Sequence, residues 1–178
     1  MTGPDSGTGS HLALDSASQS LLFRQAHTAN AFTDGPVSDE TVREIHDLVK
    51  SVPTASGGQP LRVVLVRSAA GRERLLRHTS RGNRDKTARA PLVAVLAVAR
   101  RSAVPDGALQ AAYFIIAVRA AGLAAGPMSG FDPEGVDREF FADTKHSALM
   151  VVNIGRPTPD GHRPHGPRLD FAQVFSSV

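Results

Sequence analysis

Residues 126–132 read Gly126-Pro127-Met128-Ser129-Gly130-Phe131-Asp132, between a long apolar segment and the run Ala148-Leu149-Met150-Val151-Val152-Asn153-Ile154-Gly155. Glycine and small residues let a backbone approach a planar ligand with no Cβ in the way, and successive loop amides donate hydrogen bonds without a charged side chain. The segment is therefore expected to be a binding loop that follows a buried helix and precedes a strand.

The neighbouring elements are read outward from this loop. Gly107 to Ala121 is predicted helical and apolar almost all round, with Ala111, Phe114, Ile115 and Val118, and Gly122 available as a stop; such a helix is central or lies at a subunit interface. Pro91 to Ala99 (PLVAVLAVA) reads as a nearly continuous apolar strand buried on both faces, and Arg62 to Arg67 (RVVLVR) as another strand. Ala69 to His78 reads as a short helix, and Leu14 to Ala26 has apolar residues near helical spacing. Ser38-Asp39-Glu40 opens a helix that carries Val42, Ile45, Leu48, Val49 and Val52 on one face, since Ser38 can cap it and two acids sit in its positive first turn. Beyond the last strand, the Pro-, Gly- and His-rich Arg156 to Pro167 suggests an extended arm. The Gly- and Ser-rich start, MTGPDSGTGS, suggests a disordered tail, and residues 13–178 a single domain.

Composition narrows the function. A chain of 178 residues with 41% hydrophobic content supports one sizeable core. The net charge of +3 comes from Lys and Arg scattered among acids, with one Tyr and no Trp to stack on bases, so the balance suits an anionic cofactor and argues against nucleic acid. With no cysteine, disulfides and thiolate chemistry are excluded. The opening residues lack the basic start and apolar core of a signal peptide, and no apolar run has membrane-spanning length; a cytoplasmic, soluble protein without membrane partners is expected.

Five pieces in order carry a family resemblance: Thr28-Ala29-Asn30-Ala31-Phe32; the turn Pro53-Thr54-Ala55-Ser56-Gly57-Gly58-Gln59-Pro60; Asn83-Arg84-Asp85-Lys86-Thr87; the 126–132 segment; and Pro167-Arg168-Leu169-Asp170-Phe171. From about Leu22 to Phe171 the chain resembles the nitroreductase superfamily, most closely the branch related to bacterial malonic semialdehyde reductase. The resemblance implies an α+β sandwich whose central, mostly antiparallel sheet is flanked by helices. It implies an intertwined homodimer with FMN at the interface and residues 156–178 crossing to the partner subunit. The implied chemistry is oxidoreduction: NAD(P)H reduces FMN, which passes a hydride or electrons to an electron-poor small molecule, or a biosynthetic intermediate is oxidised.

The resemblance also implies roles. Arg168 grips the FMN phosphate with its guanidinium fork, and Lys86 lies near flavin N1 and O2, where positive charge stabilises the reduced ring. Asn83 faces the pyrimidine edge. Pro127, Met128, Ser129 and Gly130 form the loop whose backbone N–H groups meet N5 and O4. His27, Thr28 and Asn30 belong to the amino-terminal phosphate motif. The chain departs from the family where arginines are replaced by Ala26-His27, an asparagine by Gly57 and an aromatic by Leu61. It departs again where only Arg100 to Asp106 remain of a segment that roofs the flavin. These departures keep a second reading open, a non-catalytic or flavin-poor scaffold protein. His162 and His165 are read as part of a mobile arm and not as metal ligands, and the acids from Asp132 to Glu139 as a solvated turn and helix start.

Overall fold

The structure is a computed structural model that describes residues 12–99 and 103–178. At its centre is β2 (Leu92–Val98), whose seven residues are all fully buried. It lies inside a four-stranded antiparallel sheet ordered β1-β2-β4-β3, with β1 at Leu61–Val66, β3 at Ala124–Met128 and β4 at Ser147–Gly155. Successive side chains of a strand point to opposite faces. Leu92, Ala94 and Leu96 accordingly join one core cluster, with Ile45, Phe114 and Val118, while Val93, Val95 and Ala97 join the other, with Leu75, Val136 and Phe141. A strand with helices on both faces has no polar side, so β2 reads as an unbroken apolar run.

The helices on the first face are α2 (Asp39–Val49) and α5 (Val104–Ala120). Ser38 caps α2 as its sequence predicts, its Oγ accepting from the Thr41 N–H at 3.2 Å. In α5, Pro105 occupies the first turn, where a missing N–H costs nothing. All-round burial of this helix does not hold within one chain. Ala111, Phe114, Ala117 and Val118 are buried, but Leu109 and Tyr113 are 40% and 42% exposed, so one face of α5 is uncovered.

The other face carries α3 (Ala69–His78), α4 (Arg81–Arg89) and α6 (Pro133–Phe140). The charged run of α4 is helical although it buries only Thr87. Its last carbonyls are satisfied from α3, where Arg72 donates to the Thr87 and Ala90 carbonyls at 2.6 Å each. Short pieces complete the described elements: α1 (Ser16–Gln19) running into a π turn at Ser20–Arg24, a 3-10 turn at Ala55–Gly57, and α7 (Phe171–Val174) near the end. The expected tail lies outside the described residues apart from Leu12, and so do Arg100 to Ser102 of the short connection. No described helix is long and apolar enough to cross a membrane.

The expected loop over 126–132 divides into two. Its first half is strand, since Gly126, Pro127 and Met128 pair with Asn153, Val152 and Val151. Glycine and proline argue against a central strand, but β3 is an edge strand, where a residue without an N–H is tolerated.

Candidate cofactor cleft

The cleft begins at the outer edge of β3. Pro127 has no N–H to give, and the Ala125 carbonyl accepts from the Ala29 N–H at 2.9 Å, so Ala125, Pro127 and Ser129 turn their backbone groups away from β4. Residues 28–31 run along this edge. Gly126 permits the crossing, because a Cβ there would collide with the Ala29 carbonyl. On its far side the same segment is held by the Gly161 carbonyl, which accepts from the Asn30 and Ala31 N–H groups at 2.7 and 3.3 Å.

Helix α4 supplies the cation. Lys86 Nζ lies 3.4 Å from Asn30 Oδ1 and forms no ion pair with a carboxylate among the described residues. Burial lowers its pKa from the usual lysine value, and the nearby charge of Arg163 lowers it further. One helical turn earlier, Asn83 Nδ2 donates to the Gly130 carbonyl at 3.1 Å, alongside the Ser80 N–H at 2.9 Å. The Asn83 amide therefore anchors the segment after β3. A Cβ at Gly130 would lie 2.6 Å from Asn83 Nδ2 and 2.8 Å from Ser80 Oγ, so a larger residue there would displace the Asn83 and Ser80 side chains. The Ser129 and Gly130 N–H groups donate to no protein acceptor among the described residues.

Of the expected site residues, the fold gathers Thr28, Asn30, Asn83, Lys86, Ser129 and Gly130 around this edge. Pro127 sits in the strand itself. Met128 turns inward, 7% exposed in the core, its sulfur accepting from Thr87 Oγ1 at 3.5 Å. Asn153 Nδ2 donates to the same hydroxyl at 3.3 Å, and Asn153 Oδ1 is buried with no partner among the described residues. Arg168 stands apart. It is exposed and, among the described residues, donates only to the carbonyls of Gly166 and Pro167, at 3.0 and 3.4 Å, in its own segment.

His27 has the most unexpected surroundings. Its ring is stacked between His162 and His165, with centroids 4.0 and 3.9 Å away and interplanar angles of 16° and 14°. Its Nδ1 lies 3.0 Å from the Arg163 carbonyl, and His165 Nε2 lies 2.8 Å from the Ala26 carbonyl. Thus two residues read as belonging to a mobile arm pack against the amino-terminal motif. The one sequence signal for this is the pair of histidines flanking Arg163-Pro164 in a chain with histidine at the arginine position. A cavity of about 400 Å³ opens beside the stack, lined by His27, Ala29, Arg119, Pro157 and His162 among others. A groove of about 450 Å³ at the opposite edge of the sheet, between α2, β1 and α5, contains none of the expected site residues.

The turn before β1 explains one departure from the family pattern. Gly57 has a φ of 66°, in the left-handed region that glycine and asparagine adopt most readily. The backbone would therefore also accept an asparagine. The cleft's donors are a half-buried ammonium, the Thr28 hydroxyl, an imidazole and two unengaged backbone N–H groups, with no carboxylate paired to Lys86. That set suits a planar ligand carrying negative charge.

The comparisons with known proteins agree with this architecture. The nitroreductase family profile matches residues 23–108. A Streptomyces griseus protein, provisionally named NADH dehydrogenase/NAD(P)H nitroreductase, is 53% identical, the match covering 94% of this chain and 99% of that one. A Leptothrix cholodnii protein of the same provisional name is 42% identical, over 89% of this chain and 95% of its own. Among solved structures, a provisional nitroreductase from Bacillus subtilis superimposes with a TM-score of 0.83 at 20% identity, covering 91% of this chain and 99% of that one. One from Exiguobacterium sibiricum, in complex with FMN, gives 0.82 at 15%, covering 93% and 98%. Identities that low establish the shared fold alone, but the sequence relatives go further, and the chain belongs to the nitroreductase family.

Proposed function

We propose that this protein is an FMN-dependent oxidoreductase that moves a hydride or electrons between NAD(P)H and an electron-poor small molecule. The observation that carries this reading is Lys86, a half-buried cation whose one side-chain partner among the described residues is Asn30, beside Ser129 and Gly130 N–H groups that none of those residues engages at the edge of β3. When bound there, FMN would supply the hydride chemistry. Lys86 would hold positive charge at the pyrimidine side of the ring, and the Ser129 and Gly130 N–H groups would fix the opposite edge. Asn83 would act by anchoring the Gly130 carbonyl, and Pro127 and Met128 by fixing the strand that ends at Ser129. Thr28, with His27, would meet the phosphate.

Arg168 would complete the phosphate site from the arm of a second copy. In support, the end of the chain leaves Leu169, Phe171, Val174 and Phe175 between 58% and 75% exposed, an apolar load that a homodimer would cover. The roof over the cofactor would be short, as in a branch near malonic semialdehyde reductase that has lost its cap. The match with the Streptomyces griseus relative spans 195 positions but 94% of this chain's 178 residues, about 167, leaving about 28 positions unmatched here. With the Leptothrix relative, 187 positions against 89% of the chain leave about 29. A thin roof would admit bulky acceptors.

One observation favours the second reading, a flavin-poor scaffold: His27 is covered on both faces by imidazoles. Turnover separates the two readings. Protein reconstituted with FMN is expected to oxidise NADH or NADPH in the presence of nitro, quinone or aldehyde acceptors. Absence of oxidation with every acceptor, together with a colourless preparation, would favour the scaffold.

A further inference from the structure

We propose that Asn153 and Thr87 are positioning residues: a buried polar chain from β4 through α4 to β3 sets the rotation of α4 and so holds Lys86 at the cleft. The proposal rests on the reading of that cleft as a flavin site. Asn153 interrupts the apolar run of β4 and is fully buried, paired with Val93 of β2 and Gly126 of β3. Its Nδ2 donates to Thr87 Oγ1 at 3.3 Å, and that hydroxyl donates to Met128 Sδ at 3.5 Å. Three elements are thereby tied at one point in the core.

Helix α4 depends on such ties because apolar packing does little to orient it. Of its residues, Thr87 alone is buried. Arg72 holds the Thr87 and Ala90 carbonyls, which fixes where the helix ends. Rotation about its axis is set by side chains. Asn83 Nδ2, on the Gly130 carbonyl at 3.1 Å, and Arg84 Nε, on the Thr79 carbonyl at 3.0 Å, pin the first turn. Thr87, four residues beyond Asn83 and on the same face, pins the last. Lys86 stands about 100° round the helix from Thr87, so a roll of the last turn would carry its ammonium away from Asn30.

Stability does not account for Asn153. Its amide makes one bond to Thr87, while Oδ1 is buried with no partner among the described residues, and an unpaired buried acceptor costs about as much as a single bond returns. Leucine has the branching of asparagine and valine that of threonine, so the pair would fill the same space with no unpaired atom. What hydrocarbon would not supply is direction. Hydrogen bonds weaken steeply with angle, whereas packed methyl groups tolerate a roll.

The test separates folding from positioning. Thr87→Val alone strands the Asn153 amide and is expected to lower the melting temperature by about 3 °C or more, while the Thr87→Val, Asn153→Leu double variant recovers to within about 2 °C of wild type. Lys86 is not expected to recover. In the ligand-free protein, burial and then the charge of Arg163 hold it below the usual lysine pKa. A side-chain NMR titration, in which the other lysines are Lys50 and Lys145, should move toward the usual value in the double variant. FMN affinity should fall about fivefold or more, and adding Lys86→Gln should weaken it by less than about threefold further, because the chain acts through Lys86. Thr87→Ser keeps the hydroxyl and should match wild type in both readouts. A double variant that recovers its melting temperature, Lys86 titration and FMN affinity together would overturn the proposal, as would full additivity with Lys86→Gln. Should the double variant fail to fold, Thr87→Val is set against Thr87→Ser in the Lys86 titration, and equal values refute the proposal. Wild-type protein that binds no FMN would refute the flavin reading alone, and the Lys86 titration would still decide the role of the chain.

Discussion

Strands β2 and β3 flank the same partner, β4, and both are short and apolar, yet their surroundings differ on every side. β2 has a strand on each edge and helices over each face, so its backbone and side chains are fully occupied. β3 has one strand neighbour. Its other edge meets residues 28–31 and, past Met128, runs into N–H groups that no atom of the described residues accepts from. Closure on all sides gives β2 stability and leaves it nothing to bind with. An open edge, shielded by a crossing segment and one half-buried lysine, gives β3 a place for a ligand.

The comparison can be broken most severely at β2. Leu96→Ala is expected to cost 2–5 kcal/mol, read as a shift in denaturation midpoint, with FMN affinity of the folded protein unchanged. A cost under about 1 kcal/mol would mean that β2 is not the centre of stability. Next come two glycines. Gly107→Ala would push a methyl into the Val98 side chain, whereas Gly126→Ala would push one into the Ala29 carbonyl, a backbone group whose residue is tied to β3 by its own N–H. The Gly126 variant should lose about 3 kcal/mol and the Gly107 variant about 1. The opposite order in thermal unfolding would show that residues 28–31 are only loosely laid on β3.

Smaller effects sharpen the other side of the comparison. Arg168→Ala should weaken FMN binding by about 2 kcal/mol, as expected for loss of a charge-assisted phosphate contact, with little change in the melting temperature of the ligand-free protein. Unchanged affinity in a titration would remove Arg168 from the site. Ser38→Ala, far from the cleft, should cost about 1 kcal/mol of stability and nothing in binding. A binding defect there would mean that the far face of the sheet is coupled to the cleft.

The same contrast explains what the sequence makes legible. β2 is evident because two-sided burial writes an unbroken apolar run, and α2 because its cap and apolar stripe are local. The family is evident because five short motifs keep their order. β3 is hidden, since Gly126 and Pro127 have low strand propensity and only the edge position tolerates them. Helix α4 is hidden for another reason: its residues are almost all polar, and its last carbonyls are satisfied by Arg72, whose position depends on the tertiary fold. Met128 follows from the same omission, because a loop methionine faces a ligand while a strand methionine alternates into the core. The histidine stack joins residues 27, 162 and 165, and no local pattern reports a contact across that span.

The central claim is that the edge of β3, with Lys86, is a flavin site. It is tested most directly by titrating the purified protein and its Lys86→Gln variant with FMN while following flavin fluorescence. The account predicts saturable binding of one FMN per chain. In the variant, binding should be about tenfold weaker at an unchanged melting temperature, equivalent to about 1.4 kcal/mol. No binding by the wild type, or equal affinity in the two proteins, would contradict it.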